Sequence, residues 1–407
     1  MIKEIFKQCI FCVILLNYIS CKKISQIEAT NQKQSFEESS VYYKNPFGIL
    51  VSATIDNGIQ RLLKPEGGVN LAHDLGCAYA RVAVSNLQWY DAGAKQKFLD
   101  EYNAYTKSTP LIKVLLNVNW GEHSTGSQVY PGATPEYKVF IKDLLDTLTS
   151  PAYIKPAVIV VENEENNPTF HVLNTQADQD NYIAMLKFVI AIGHQKKLKV
   201  TNGGLTDMGV TLSVRDYLQN IVKDTARLHA FEINTFPSKM LAVIDNKFYT
   251  TKKIVAEYFI NSYTSLNMDY ENIHWYEPIK LAFWYYPERA TDVDTAHMAI
   301  GSLAETMAYF NDTSVSGGKQ LIVNEAGQIT PATEITRELT CALKDLPYVI
   351  WYSGDRDTQQ SIRPYLQYAL HSTKFNKIDY TLRETGLAFK DNIANIIAHP
   401  NYYCIPQ

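Results

Sequence analysis

Two glutamates close β-branched apolar runs in this sequence: Glu164 in AVIVVENEENN (157–167) and Glu325 in QLIVNEAGQ (320–328), each directly after an asparagine. A carboxyl group at the end of a buried strand is delivered to a polar opening. Two of them can cleave a glycosidic bond, one protonating the leaving oxygen while the other attacks the sugar or activates water. Both must face one cleft. Mutual repulsion also splits such a pair by pKa, so that one group stays protonated while hydrogen bonds keep the other ionised.

The elements that position them follow from the pattern around them. Continuous apolar runs, rather than alternating ones, mark parallel strands buried on both faces. Eight are expected, over 47–54, 79–86, 111–120, 157–164, 199–206, 271–278, 320–325 and 348–353, separated by helical spacing over 136–149, 179–195 and 290–311. Eight strand-helix units favour an α/β fold of the closed (β/α)8 TIM-barrel type, in which chemistry sits at the C-terminal strand ends. No glycine-rich phosphate loop follows the first strand, so a dinucleotide site loses its main support. The sixth strand could also be HAFEINTF (229–236), but 271–278 is preferred, which makes 207–270 a long, mostly helical insertion between strands five and six that is expected to border the site. On this count the two glutamates end strands four and seven, nearly opposite one another across the barrel.

Composition narrows the partners. The formal net charge of -4 comes with interspersed signs and no basic stripe, which argues against a nucleic-acid partner. Residues 1–20 carry Lys3 and Lys7, a short apolar core and a small residue before Cys21, the layout of an export signal too short to span a bilayer. Residues 21–45 form a polar tether, and 46–407 are expected to form the barrel domain, a monomer. Cys9 and Cys12 leave with the signal. If Cys21 is modified, Cys77, Cys341 and Cys404 remain; each is by default a buried thiol, and at most one disulfide can form. Neither a zinc site nor any other metal site is expected from the nine histidines, and no cofactor is called for.

Several segments resemble the clan A glycoside hydrolases, retaining enzymes built on a (β/α)8 barrel. Asn163-Glu164 is similar to the clan's Asn-Glu pair, which implies that Glu164 is the acid/base and that Asn163 bonds the hydroxyl beside the reacting carbon. Val323-Asn324-Glu325-Ala326-Gly327 resembles the nucleophile motif, implying that Glu325 attacks. Arg81 in YARVAVSN matches the arginine that keeps the nucleophile ionised, and His274-Trp275-Tyr276 resembles a His-x-Tyr segment in which Tyr276 contacts the nucleophile and His274 lines the sugar site. Trp351 stands where the clan offers an indole platform. The end of the signal, Tyr-Ile-Ser-Cys, resembles a lipoprotein cleavage site, which implies a lipid anchor on Cys21, and Lys22 implies the bacterial outer membrane rather than the inner.

The chain also departs from the clan. Glu162 and Glu165 flank the Asn-Glu pair where a small residue and a proline are usual, and Asn324 replaces a common Thr or Ser. Strand alternation puts Glu162 on the face of Glu164, as a competing or salt-bridged acid, and turns Glu165 away toward solvent. All five tryptophans and many of the 27 tyrosines fall at or just past strand ends, where rings can stack on sugars. Trp120 is the candidate after strand three, with Asn119, Glu122 and His123 as polar neighbours; Ser353 lacks the turn a serine nucleophile needs. The residues together point to a carbohydrate substrate and a retaining hydrolase, or alternatively to a non-catalytic carbohydrate-binding lipoprotein on the same scaffold.

Overall fold

The run Val158–Val161 shows how the barrel is built, because all four of its residues are buried. Val158 and Val160 face the lumen, packed with Tyr79, Leu115, Tyr270, Ile322 and Ile350, while Ile159 and Val161 join the larger core under the helices. Successive strand side chains point to opposite faces. A strand walled on both sides must therefore be apolar at every position, and burying each such side chain contributes about 1.5–3 kcal/mol.

The computed structural model describes residues 45–52, 55–56, 59–60, 65–121, 128–236, 238–277, 293–328, 332–354, 370–374 and 377–399. Eight parallel strands close into a barrel: β1 Phe47–Ser52, β2 Tyr79–Ser85, β3 Lys113–Asn119, β4 Val158–Val161, β5 Val200–Asn202, β6 Tyr270–Glu277, β7 Gln320–Gln328 and β8 Val349–Gly354. Each pairs with the next in sequence, and β8 closes on β1. All eight lie where the sequence places them, with ends that differ by a few residues. The leader and tether expected over 1–45 lie, apart from Asn45, outside the described residues.

Helices follow the strands, and their ends are written in the sequence. The helix α1, Pro65–Asp74, follows β1, and α2, Ala92–Thr106, follows β2. After β3, α3 spans Pro135–Leu148: Thr134 caps it through Tyr137 N, proline opens the first turn, and Tyr137, Phe140, Ile141, Leu144, Leu145 and Leu148 form its buried stripe. After β4, α4 spans Gln176–Gln195 behind a Thr175/Asp178 capping box. The long excursion between β5 and β6 is helical, with α5 Asp207–Tyr217, α6 Thr225–Thr235 and α7 Lys247–Thr264. HAFEINTF lies largely in α6, so the choice of β6 stands. The helices α8 Val293–Asn311, α9 Thr333–Leu343 and α10 Glu384–Ala398 complete the ring.

Two local irregularities shape the mouth. After Val161 the chain leaves the ladder, with Glu162 and Glu164 both at positive φ, 67° and 49°. Such backbone is costly for residues with a Cβ and concentrates at functional sites. The second is in β7. Ile273 pairs with Val323 and His274 with Glu325, and on the other side Val349 pairs with Val323 and Trp351 with Ala326. The strand β7 thus carries one residue, Asn324, more than either neighbour. A bulge of this kind breaks alternation, and Asn324 and Glu325 both face the lumen.

Among the described residues no helix is long and apolar enough to cross a membrane. Cys77 is a buried free thiol, as expected, whereas Cys341 is disulfide-bonded and departs from the buried-thiol default.

Candidate active site

The lumen is layered. Above the apolar floor sits a shelf of amides: Asn272 Nδ2 donates to Asn324 Oδ1 at 2.7 Å, and Asn117 Nδ2 donates to Asn119 Oδ1 at 3.0 Å. On that shelf rest Arg81 from β2, His274 and Tyr276 from β6, and Glu325 from β7.

Glu325 is held from two sides. Arg81 Nη1 donates to its Oε2 at 2.6 Å, and the Tyr276 hydroxyl donates to its Oε1. Arg81 is only 6% exposed and also reaches the Asn324 carbonyl and, through Nη2 at 2.5 Å, the Asn163 Oδ1. A guanidinium and a phenol both stabilise the charged form of a carboxylate, and charge-assisted bonds of this kind are the strong ones.

Glu164 meets different company. Its Oε1 lies 3.2 Å from His274 Nδ1, and Asn167 Nδ2 donates to its Oε2 at 2.5 Å. Glu164, His274 and Glu325 each offer an atom within 4.8 Å of the others'. A cation is a poor explanation for that cluster, because Glu325 already faces the Arg81 guanidinium and His274 uses both ring nitrogens, Nδ1 toward Glu164 and Nε2 toward Asn324. His171 supports the loop from behind: its Nε2 donates to the Asn163 carbonyl at 2.8 Å while its ring stacks on Tyr130. Burial pushes His171 down to about 4, so it is neutral at ordinary pH.

The two acids beside Glu164 correct the sequence reading. Both are completely buried. Because Glu162 sits past the strand end at positive φ, alternation no longer applies, and its Oε1 accepts from the Trp120 backbone N at 2.8 Å instead of competing with Glu164. Glu165 does not reach solvent; its Oε1 accepts from the Tyr263 hydroxyl of α7 and from Asn202 Nδ2. Burial raises both carboxyls above the usual range, opposed at Glu162 by the Trp120 bond and at Glu165 by Tyr263 and Asn202.

The aromatic candidates divide. Trp120 is half-buried one residue past β3, packed edge-on against Tyr137 and beside Phe140. Trp351 is corrected: Ile350 takes the lumen position, so the indole points outward, fully buried against Phe389 of α10, and no sugar can stack on it. Trp89 and Trp275 are buried as well. Glu122, His123, Trp284 and Cys21 lie outside the described residues. Ser353 is buried and bonded to His371 Nδ1.

Contributors not singled out from sequence as site residues include Asn272, Asn167 and Gly204. Asn272 and Asn167 are amides close to the named groups, and Asn272 is legible in hindsight as a polar residue at an inward position two before His274. Gly204, at φ 111°, approaches the His274 ring so closely that an added Cβ would lie 2.2 Å from Nε2. Its signal is the Asn-Gly-Gly at the end of β5.

No family model matches the sequence, and no curated protein is similar enough to match it. Solved structures match in fold. A GH5-4 broad-specificity endoglucanase from Ruminococcus flavefaciens aligns over 88% of this chain and 98% of its own, with a TM-score of 0.56 and 10% identity. A GH5_18 protein from Bifidobacterium longum subsp. infantis aligns over 86% and 78%, with a TM-score of 0.51 and 14% identity. A glucosidase from Croceicoccus marinus aligns over 87% and 68%, with a TM-score of 0.51 and 9% identity. At these identities the likeness is one of fold: this chain has the eight-stranded barrel on which those glycoside hydrolases are built.

Proposed function

We propose that this protein is a glycoside hydrolase acting with retention on an oligo- or polysaccharide. The observation that carries the reading is the approach of Glu164 and Glu325, whose nearest ligand atoms, with that of His274, lie within 4.8 Å of one another. Carboxyl groups roughly 5 to 5.5 Å apart suit direct attack on the sugar, whereas roughly 6.5 to 9.5 Å leaves room for an intervening water and inversion.

Glu325, held by Arg81 and Tyr276, attacks the anomeric carbon. The glycosidic C–O bond breaks, and its electron pair leaves on the oxygen that Glu164 protonates. Water then enters, gives its proton to Glu164 and releases the sugar from Glu325. Arg81 holds Asn163 by its side-chain Oδ1, which leaves Nδ2 as the donor for the hydroxyl beside the reacting carbon.

A panel of chromogenic aryl glycosides and polysaccharides tests this. Wild-type turnover is expected, lost in Glu325→Ala and restored by azide, which attacks in place of the missing carboxylate. Binding without turnover in both proteins would instead support the non-catalytic carbohydrate-binding lipoprotein. Glu162 and Glu165, the acids that depart from the clan pattern, are each bonded elsewhere, to the Trp120 backbone N and the Tyr263 hydroxyl.

The reading includes export and a lipid on Cys21 at the outer membrane. The disulfide-bonded state of Cys341 supports it, since disulfides persist in oxidising compartments. Metabolic labelling with palmitate, absent in Cys21→Ser, is the expected result.

A further inference from the structure

If Glu164 is the acid, it must hold a proton before the first step, and the group beside it is His274 Nδ1, 3.2 Å away. What that nitrogen carries depends on the other one, since a neutral imidazole has one N–H and one lone pair. Backbone groups settle the matter. The Asn324 backbone N donates to Asn272 Oδ1 at 3.0 Å, and Asn272 Nδ2 donates to the Asn202 carbonyl at 3.0 Å. Those two partners fix which end of the Asn272 amide is which. The same Nδ2 meets the Asn324 side chain at 2.7 Å, so the atom there must accept and is Oδ1. His274 Nε2 lies 2.8 Å from that Oδ1 and must donate to it.

We propose that Asn324 is a positioning residue acting through His274: by taking the Nε2–H, it leaves the Nδ1 lone pair to hold the carboxylic proton of Glu164. The inference rests on the glycosidase reading. In the first step the Glu164 O–H bond breaks as an O–H forms on the leaving oxygen. The Nδ1 lone pair then faces a bare carboxylate, which raises the affinity of Glu164 for the proton that water supplies in the second step. Asn324 can play this part because it is the extra residue of β7 and faces the lumen together with Glu325.

Among the described residues, the other titratable groups around the pair are Glu325, Glu165 and His171. Glu325 Oε2 lies 3.9 Å from His274 Nδ1 but is paired with Arg81, and Tyr276 donates to its other oxygen. Glu165 is bonded to Tyr263 and Asn202, and His171, near Glu164, is neutral.

The test uses Asn324→Ala and Asn324→Thr, whose hydroxyl can still accept from Nε2–H, each checked for an unchanged thermal melt. Histidine-labelled ¹⁵N NMR reads the tautomer directly, with His274 assigned by its loss in His274→Gln. The wild type and Asn324→Thr are expected to show protonated Nε2, and Asn324→Ala to move toward protonated Nδ1. An Nδ1–H donor stabilises ionised Glu164, so in Asn324→Ala the alkaline limb of kcat/KM on a poor leaving group moves about one pH unit toward acid. The kcat/KM for a dinitrophenyl glycoside, whose departure needs no proton, keeps its wild-type pH profile. Protonated Nδ1 in the wild type, or an unmoved alkaline limb in Asn324→Ala, overturns the proposal. A wild type that cleaves nothing while showing protonated Nε2 overturns the glycosidase reading and leaves the tautomer assignment supported.

Discussion

Glu325 receives a buried guanidinium and a phenol on its two oxygens, while Glu164, a few ångströms away, faces an imidazole and an amide. The different company is what would separate their roles. Removing one preorganised donor typically costs about 10²–10³ in kcat, so Tyr276→Phe is expected to lower kcat by about that factor with a smaller change in KM, measurable by steady-state kinetics. Glu164→Gln should lose about 10²–10⁴ on poor leaving groups, whereas Glu162→Gln, which keeps an oxygen for the Trp120 N–H, should retain turnover. A result in which Glu162→Gln is the inactive variant would reassign the acid. The named polar residues were legible because each stands in a short segment whose order of residue types is unusual. Trp351 misled because neighbouring residues on a strand face opposite ways, and only the register tells which of Ile350 and Trp351 takes the lumen.

At the scale of elements, the apolar runs marked every strand but could not mark where a strand stops being one. The strand β4 ends at Val161, and positive φ at Glu162 and Glu164 sends three consecutive-looking acids to three different environments. Nothing in ENEENN announces that turn. Just past the short β5, the backbone of Gly204 lies against His274. Gly204→Ala would add a Cβ in contact with Nε2 at a φ that disfavours any side chain, costing about 1–3 kcal/mol. A lower urea midpoint, with a loss of kcat beyond what unfolding explains, is the expected outcome; a fully stable, fully active variant would mean that the ring moves freely.

For the whole molecule, one buried acid of the barrel ties stability to pH. Glu271 of β6 is completely buried, and neither of its oxygens has a hydrogen-bond partner among the described residues. Burial pushes its carboxyl up from the usual 4.5 to about 8, with Lys319 opposing the rise and Glu165 adding to it. The folded state therefore binds this proton more tightly than the unfolded chain. Between about 4.5 and about 8 the native carboxyl keeps a proton that the unfolded one has lost, so its contribution to stability falls as pH rises through that window. Glu271→Gln should flatten this decline, with a higher melting temperature than wild type at pH 8 and little difference at pH 4. Equal slopes for the two proteins would show that Glu271 is not the group responsible. The sequence does not disclose such an acid, since a strand-borne glutamate flanked by tyrosine and asparagine reads as well for the surface as for the interior.

The seam in β7 also offers a subtractive experiment. Because the surplus residue is the amide and not the acid, Val323 and Glu325 already sit opposite consecutive residues of β6, and against β8 Val323 and Ala326 face Val349 and Trp351, with two residues of β7 between them opposite the single Ile350. Excising Asn324 would zip the strand into an unbroken ladder with Glu325 still level with His274. One codon removed would strip the histidine of its acceptor without putting any other side chain in the vacated place.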